Sequence, residues 1–273
     1  MAYNLLKGKR GIIFGALDEN SIAWKTAEQV HAEGGTFVLT NAPIALRMGT
    51  LKKLAEATNS EIIPADATSI EDLEKLVEKA TEILGGKLDF VLHSIGMSMN
   101  VRKGNHYTSQ NYDFTQKGWD ISAVSFHKTM QVLYKKDAMN EWGSIVALTY
   151  MASQRVFPDY NDMADNKAYL ESIARSFGYF FGKDKKVRVN TISQSPTPTT
   201  AGLGVKGFGG FIAYADKMSP LGNATALDCA NYTVSLFSDL TKRVTLQNLY
   251  HDGGFSNMGV SMEVMDAFVK GEE

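Results

Sequence analysis

Short β-branched runs alternate with amphipathic helical segments along the whole chain. That alternation limits the fold more than any other feature. Residues 11–14, 36–40, 61–64, 88–93, 144–148, 187–192 and 245–250 read as strands. Ser21 stands where it can cap a helix carrying Ile22, Ala23, Ala27 and Val30, ended by Gly34 and Gly35. Residues 51–57 form a short helix. Ser69 opens the next helix with capping-box spacing, apolar at Leu73, Leu76, Val77, Ala80 and Ile83. A polar loop reaches to about Gly118, and a helix follows from Trp119 to about Lys136. Further helices are predicted from about Tyr160 through Ile173, Phe177 and Phe180, and from Ala226. Strands separated by helices in this way give a parallel sheet covered on both faces. No repeat, low-complexity stretch or linker divides residues 1–273, so a single doubly wound α/β domain of about seven strands is expected.

Composition excludes several function classes. An apolar fraction of 44% and a charged fraction of 21% suit a globular domain, and a net charge of −2 argues against nucleic acid as a partner. The local run Lys183, Asp184, Lys185, Lys186 reads as a solvated turn after a helix. No apolar stretch approaches the ~18 residues of a membrane span, and the first ten residues lack the apolar segment of a signal peptide. A cytoplasmic protein, neither in nor on a membrane, is the expectation. The single cysteine, Cys229, sits in a helix interior without a basic neighbour, so it makes neither an internal disulfide nor an evident nucleophile. The His and Cys residues show no metal-ligand spacing, so no metal is expected.

Open parallel sheets bind ligands beyond the carboxyl ends of their strands. Three such ends carry suggestive residues. Gly15 follows the first strand, and Ser21 and Ile22 open a helix whose amides suit a pyrophosphate. Asp66 and Ala67 follow the third strand, where the carboxylate can accept from an adenine amino group. Ser94 and Gly96 follow the fourth. After the 144–148 strand come Tyr150, Tyr160 and Lys167. Seven residues separate Tyr160 from Lys167, which on one helix is two turns and a shared face. A nearby ammonium lowers a phenol's pKa from its usual ~10, so Tyr160 is read as a proton donor or oxyanion stabiliser.

Taken together, these residues resemble a known family. Gly15 with Ser21, Ile22 and Ala23; Asp66; His93, Ser94, Ile95 and Gly96; Tyr150, Tyr160 and Lys167; 187–190; and His251 to Phe255 are similar to the bacterial NADH-dependent enoyl-[acyl-carrier-protein] reductases. That family lies within the short-chain dehydrogenase/reductase superfamily and has a Rossmann-like fold. The most specific sign is Tyr150, ten residues before Tyr160. Ketone- and alcohol-acting members carry a catalytic Ser thirteen residues before the Tyr, and here that position is Ala147.

The resemblance implies reduction of trans-2-enoyl thioesters on acyl carrier protein, in fatty acid biosynthesis. Tyr160 would hydrogen-bond the thioester oxygen, Lys167 the nicotinamide ribose, and Tyr150 would line the pocket and orient the substrate. Gly15, Ser21 and Ile22 would face the phosphates and ribose, Asp66 and Ala67 the adenine, Ser94 and Gly96 the middle of the cofactor, and Thr197 its amide. Met97, Ser98, Met163, Ala201, Val205, Phe208 and Phe211 would form the acyl pocket, with a substrate lid over about 197–225. The five glycines from Gly202 to Gly210 make 197–211 a loop that orders on closing. A homotetramer with the Tyr160 helix at an interface is also implied, consistent with its Phe177, Tyr179, Phe180 and Phe181.

Several positions depart from the family pattern. Residues 195–199 read Ser, Pro, Thr, Pro, Thr where Gly-Pro-Ile-Arg-Thr is usual, Asp165 replaces a small residue, and Met151 and Ala152 replace Leu-Gly. The second strand ends on Asn41 and Ala42 with no acid for the ribose hydroxyls, and Arg47 is near. Position alone leaves NADPH open, whereas the resemblance favours NADH. Two alternatives remain: a superfamily oxidoreductase acting on a ketone or alcohol, and a non-catalytic dinucleotide-binding regulator.

Overall fold

The computed structural model describes residues 2–47, 50–200 and 208–271. Seven strands form one sheet: β1 (Arg10–Phe14), β2 (Thr36–Thr40), β3 (Glu61–Ile62), β4 (Leu88–His93), β5 (Met139–Thr149), β6 (Arg188–Gln194) and β7 (Asn248–His251). Their order is β3-β2-β1-β4-β5-β6-β7, and every neighbouring pair is parallel.

Period-two alternation divides the strand residues between two cores. Ile12, Val91 and Ile145 face one side, against α4 (Ile70–Ile83), α7 (Ser125–Lys135) and α8 (Asp162–Lys185). Their sequence neighbours Ile13, Leu92 and Val146 face the other, against α1 (Ile22–Ala32) and α10 (Ala226–Phe237). With both faces covered, β1, β2 and β4 have apolar interiors while β6 buries several polar residues, and each buried aliphatic side chain contributes roughly 1.5–3 kcal/mol. The chain runs from β1 outwards through β2 and β3, then returns to the far side of β1 as β4. This reversal opens a crevice between the ends of β1 and β4, where Gly15 and Ser94 lie.

Local boundaries differ from expectation where tertiary partners decide them. The third strand is only two residues long, β5 starts at Met139 rather than 144, and β7 starts at Asn248. The 245–250 run is broken by Leu246, whose φ of 63° is not a strand conformation. The polar segment before Gly118 holds α5 (Met99–Lys103) and α6 (Tyr112–Trp119), capped by the side chains of Ser98 and Asn111. A π-helical turn at Asp120–Val124 joins α6 to α7, so the helix predicted from Trp119 is neither a fresh start nor regular. Lys183 and Lys185 belong to the last turn of α8, where cations oppose the helix dipole, and Lys186 is its left-handed cap. They are not a turn beyond the helix.

Two short helices, α2 (Pro43–Leu46) and α3 (Leu51–Thr58), precede β3; α9 (Phe208–Met218) precedes α10, and α11 (Met262–Gly271) follows β7. Part of the predicted 197–211 loop is therefore the first turn of α9. Ala201, Val205 and the side chain of Phe208 lie outside the described residues. No described helix is long and apolar enough to cross a membrane.

Candidate active site

The crevice is shaped by absent side chains. Gly15 has φ +90°, and a Cβ there would lie 2.0 Å from the Ser94 carbonyl oxygen. Only glycine lets these two strand ends approach so closely. Gly96 is less constrained: a Cβ there would meet Met163 Cε at 3.4 Å and Lys167 Nζ at 3.6 Å, which is ordinary contact. Ser21 occupies the N-cap of α1 without capping it. Its hydroxyl donates to the Asp18 carbonyl at 2.7 Å, and the leading amides receive no side-chain acceptor. That corrects the expected cap and leaves a helix N-terminus ready for an anion. Asp66 is exposed, and its carboxylate accepts from Thr68 N and Oγ1 at 2.9 and 2.8 Å, beside buried Ala67. Thr197 is buried next to β6 and donates to the Ser195 carbonyl at 2.9 Å.

Tyr160 does not begin the long helix. It ends a 3-10 turn at Pro158–Tyr160, and Asn161 then reverses the chain with φ 47° and ψ −137° before α8 starts at Asp162. The two-turn relation to Lys167 therefore fails, because one of the pair lies outside the helix. Lys167 instead reaches β5, donating to the Leu148 carbonyl at 2.8 Å. Burial pushes its ammonium down to about 8, against the opposing field of Glu171 one turn on. Burial also raises the Tyr160 phenol above its ordinary value, contrary to the expected lowering. Tyr160 is thus a neutral hydrogen-bond donor rather than a phenolate. His93, at the end of β4, is fully buried and pushed down to about 3, so it adds no positive charge beside Lys167.

Tyr150 faces Tyr160, with ring centroids 5.2 Å apart. Its ring also packs on Phe157 at 5.3 Å and on Phe211 of α9 at 6.1 Å. Burial raises its phenol as well, and its hydroxyl has no hydrogen-bond partner among the described residues. Met151, Ala152, Ala215, Met218 and Phe255 complete an apolar cluster around the pair, with Phe211 against its edge. Phe157, Ala215 and Met218 were not singled out from sequence, and no motif marks them; only the packing of α9 brings them in.

The remaining acyl-pocket candidates divide. Met163 is buried beneath Gly96, and Met97 is fastened through both its N–H and its carbonyl to Ser122 Oγ at 2.9 Å, in the π-helical turn. π turns of this kind recur at functional sites. Ser98 does not offer its hydroxyl to the pocket. It is buried, donates to Asp162 at 2.5 Å and caps α5. Asp162 also accepts from Asn100 Nδ2 at 2.9 Å, and Asn100 in turn holds Asn105 and Asn111. This buried polar network ties the 97–118 segment to the start of α8. Tyr107 adds an exposed bond to Asp165, one of the departures noted above.

The arrangement offers an uncapped helix N-terminus, a buried cation and a neutral phenol beside an apolar cluster, which together suit reduction of an apolar acyl group by a dinucleotide. Comparison with known proteins agrees. Residues 15–256 match the family model described as Enoyl-(Acyl carrier protein) reductase. The NADH enoyl-[acyl-carrier-protein] reductase 2 of Rhizobium meliloti is 33% identical over 253 residues, covering 92% of this chain and 93% of its own. A FabI–NADH complex from Alistipes finegoldii is 63% identical with TM-score 0.95, covering 96% of this chain and 93% of that one. The Aquifex aeolicus NADH enoyl reductase structure is 31% identical with TM-score 0.86, covering 94% and 99%.

Lys167 gives this site a pH dependence with a definite sign. Its folded value of about 8 lies below the ordinary Lys value of 10.5, so the folded chain releases that proton first as pH rises. Dinucleotide capture that uses the ammonium should weaken as pH passes about 8. In kcat/KM for the dinucleotide, which reports the free enzyme, the fall should vanish in Lys167→Met.

Proposed function

The chain belongs to the enoyl-(acyl carrier protein) reductase family, and from that membership we propose that it reduces the C2–C3 double bond of trans-2-enoyl thioesters on acyl carrier protein, using NADH, in fatty acid biosynthesis. The observation that carries this reading is the tyrosine pair: Tyr150, its hydroxyl without a partner among the described residues, packed against Tyr160, with Ala147 where a carbonyl-reducing relative has a Ser.

The crevice fits the cofactor. Gly15 clears the approach to Ser94, and the uncapped start of α1 suits a diphosphate. Gly15, Ser21 and Ile22 would hold the phosphates, Asp66 and Ala67 the adenine, and Ser94, Gly96, Lys167 and Thr197 the nicotinamide half. NADH, when bound, supplies the hydride. The Tyr160 phenol, kept protonated by burial, donates to the thioester oxygen as negative charge gathers there. Lys167 adds positive potential from beneath, and Tyr150 with Phe157, Phe211 and Met218 excludes water from the reacting carbons.

Assembly is proposed from the same helix. Tyr179 and Phe180 on α8 are 53% and 52% exposed, a pairing that suits burial against a second copy in a homotetramer. Light scattering should give about four times the chain mass, and a monomer would refute the assembly. The substrate carrier and biosynthetic role suit a cytoplasmic protein.

The activity is tested by NADH oxidation with crotonyl and acetoacetyl thioesters. Turnover of crotonyl but not acetoacetyl thioester is the expected outcome, and the reverse preference would overturn the reading. Tyr160→Phe should lower kcat by up to about 10²–10³, the range for losing one oxyanion donor, with NADH affinity unchanged.

A further inference from the structure

Tyr150 has no polar tether of its own. Its hydroxyl is unpartnered among the described residues, so its backbone and its ring neighbours decide where the side chain points. The backbone on either side of it is fastened to one buried carboxylate. Glu171, on α8, is 3% exposed. Its Oε1 accepts from Thr149 Oγ1 at 2.8 Å and from Ser153 Oγ at 2.5 Å. Its Oε2 takes a longer bond from Gln154 Nε2 at 3.4 Å, and Gln154 Oε1 accepts from Tyr250 at 2.8 Å. Thr149 immediately precedes Tyr150, and the Ser153 N–H donates to the Tyr150 carbonyl at 3.0 Å. One helical turn earlier, Lys167 holds the Leu148 carbonyl.

We propose that Glu171 is a positioning residue for enoyl reduction: its carboxylate clamps 149–154 so that the Tyr150 ring stands against Tyr160 at the mouth of the acyl chamber. The proposal rests on the enoyl-reductase reading for its kinetic consequence, though not for its geometry. A buried carboxylate is costly to keep, and a hydrophobic residue could fill the space between α8 and β5. What a hydrophobe could not do is hold hydroxyls from both flanks of Tyr150 at once. Glu171 touches no reacting atom, so its effect should pass through the placing of Tyr150 and, separately, through the field that helps Lys167 keep its proton.

Glu171→Ala leaves two hydroxyls without their acceptor and frees the turn. Misplacement of about 1 Å can cost roughly 10²-fold in rate, so kcat/KM for crotonyl thioester should fall by about 10–100-fold with NADH affinity unchanged within twofold, both measured at about pH 6, where Lys167 keeps its proton without the Glu171 charge. Glu171→Gln keeps an acceptor oxygen for Thr149 and Ser153 and should recover most of the loss. In a Tyr150→Ala background, where there is no ring to position, Glu171→Ala should cost less than about threefold more. An equal cost in both backgrounds, or a matching loss of NADH affinity, would overturn the proposal. Should Glu171→Ala fail to fold, Thr149→Val with Ser153→Ala removes the same tethers while keeping the carboxylate, and the same outcomes decide. Independent of turnover, 3-fluorotyrosine at position 150 should change its ¹⁹F shift in Glu171→Ala and not in Glu171→Gln. An unchanged shift in Glu171→Ala refutes the clamp, whereas absent crotonyl turnover in the unmutated protein refutes only the enoyl-reductase reading.

Discussion

Lys167 carries an ammonium into a space that water barely reaches, and much of the site is arranged around that one buried charge. Burial alone is strongly unfavourable to it. The Leu148 carbonyl and the carboxylate of Glu171 oppose that penalty, yet the group is still pushed down to about 8. His93, fully buried at the end of β4, is held neutral and so adds no positive charge beside it. A cation balanced so near neutrality is poised to gain from an electron-rich ligand, which connects the energetics of the fold to binding.

The same low-polarity setting gives the two tyrosines their character. A phenol that had already lost its proton could not donate to an oxygen gaining negative charge. Burial moves Tyr160 and Tyr150 the other way, so both remain donors throughout the neutral range. The two rings pack on each other, and Tyr150 packs on Phe211 of α9, so the cluster is apolar except at those hydroxyls. In the proposed reaction that combination would direct stabilisation to the thioester oxygen, with the apolar side chains of Phe157, Phe211 and Met218 close by.

Much of this was legible in the sequence, because period and punctuation are local. The seven strands, the helices facing them and the glycines at strand ends follow from patterning, and the sheet delivers Gly15, Ser94 and Gly96 to one crevice. What could not be read depends on partners distant along the chain. The reversal at Asn161 is held by its bonds to Gln110 and Asn105, 51 and 56 residues away, so Tyr160 was placed on the helix rather than before it. Ser98 was assigned to the acyl pocket because nothing local reveals that Asp162, 64 residues on, takes its hydroxyl. The direction of the Tyr160 shift was likewise misjudged, since a neighbouring Lys is visible in sequence and desolvation is not. Glu171 gave no signal at all: a Glu four residues after a Lys reads as an ordinary helix pair until Thr149 and Ser153 are seen above it.

As an enoyl reductase of the kind proposed, this site would deliver hydride to an alkene carbon while Tyr160 stabilises the charge on the thioester oxygen. Turnover of crotonyl thioester with NADH deuterated at the transferred position, followed by NMR of the butyryl product, tests it most directly. One deuterium is expected at C3, with the new hydrogen at C2 drawn from solvent. Deuterium at C2, or label left entirely in the dinucleotide, would contradict it.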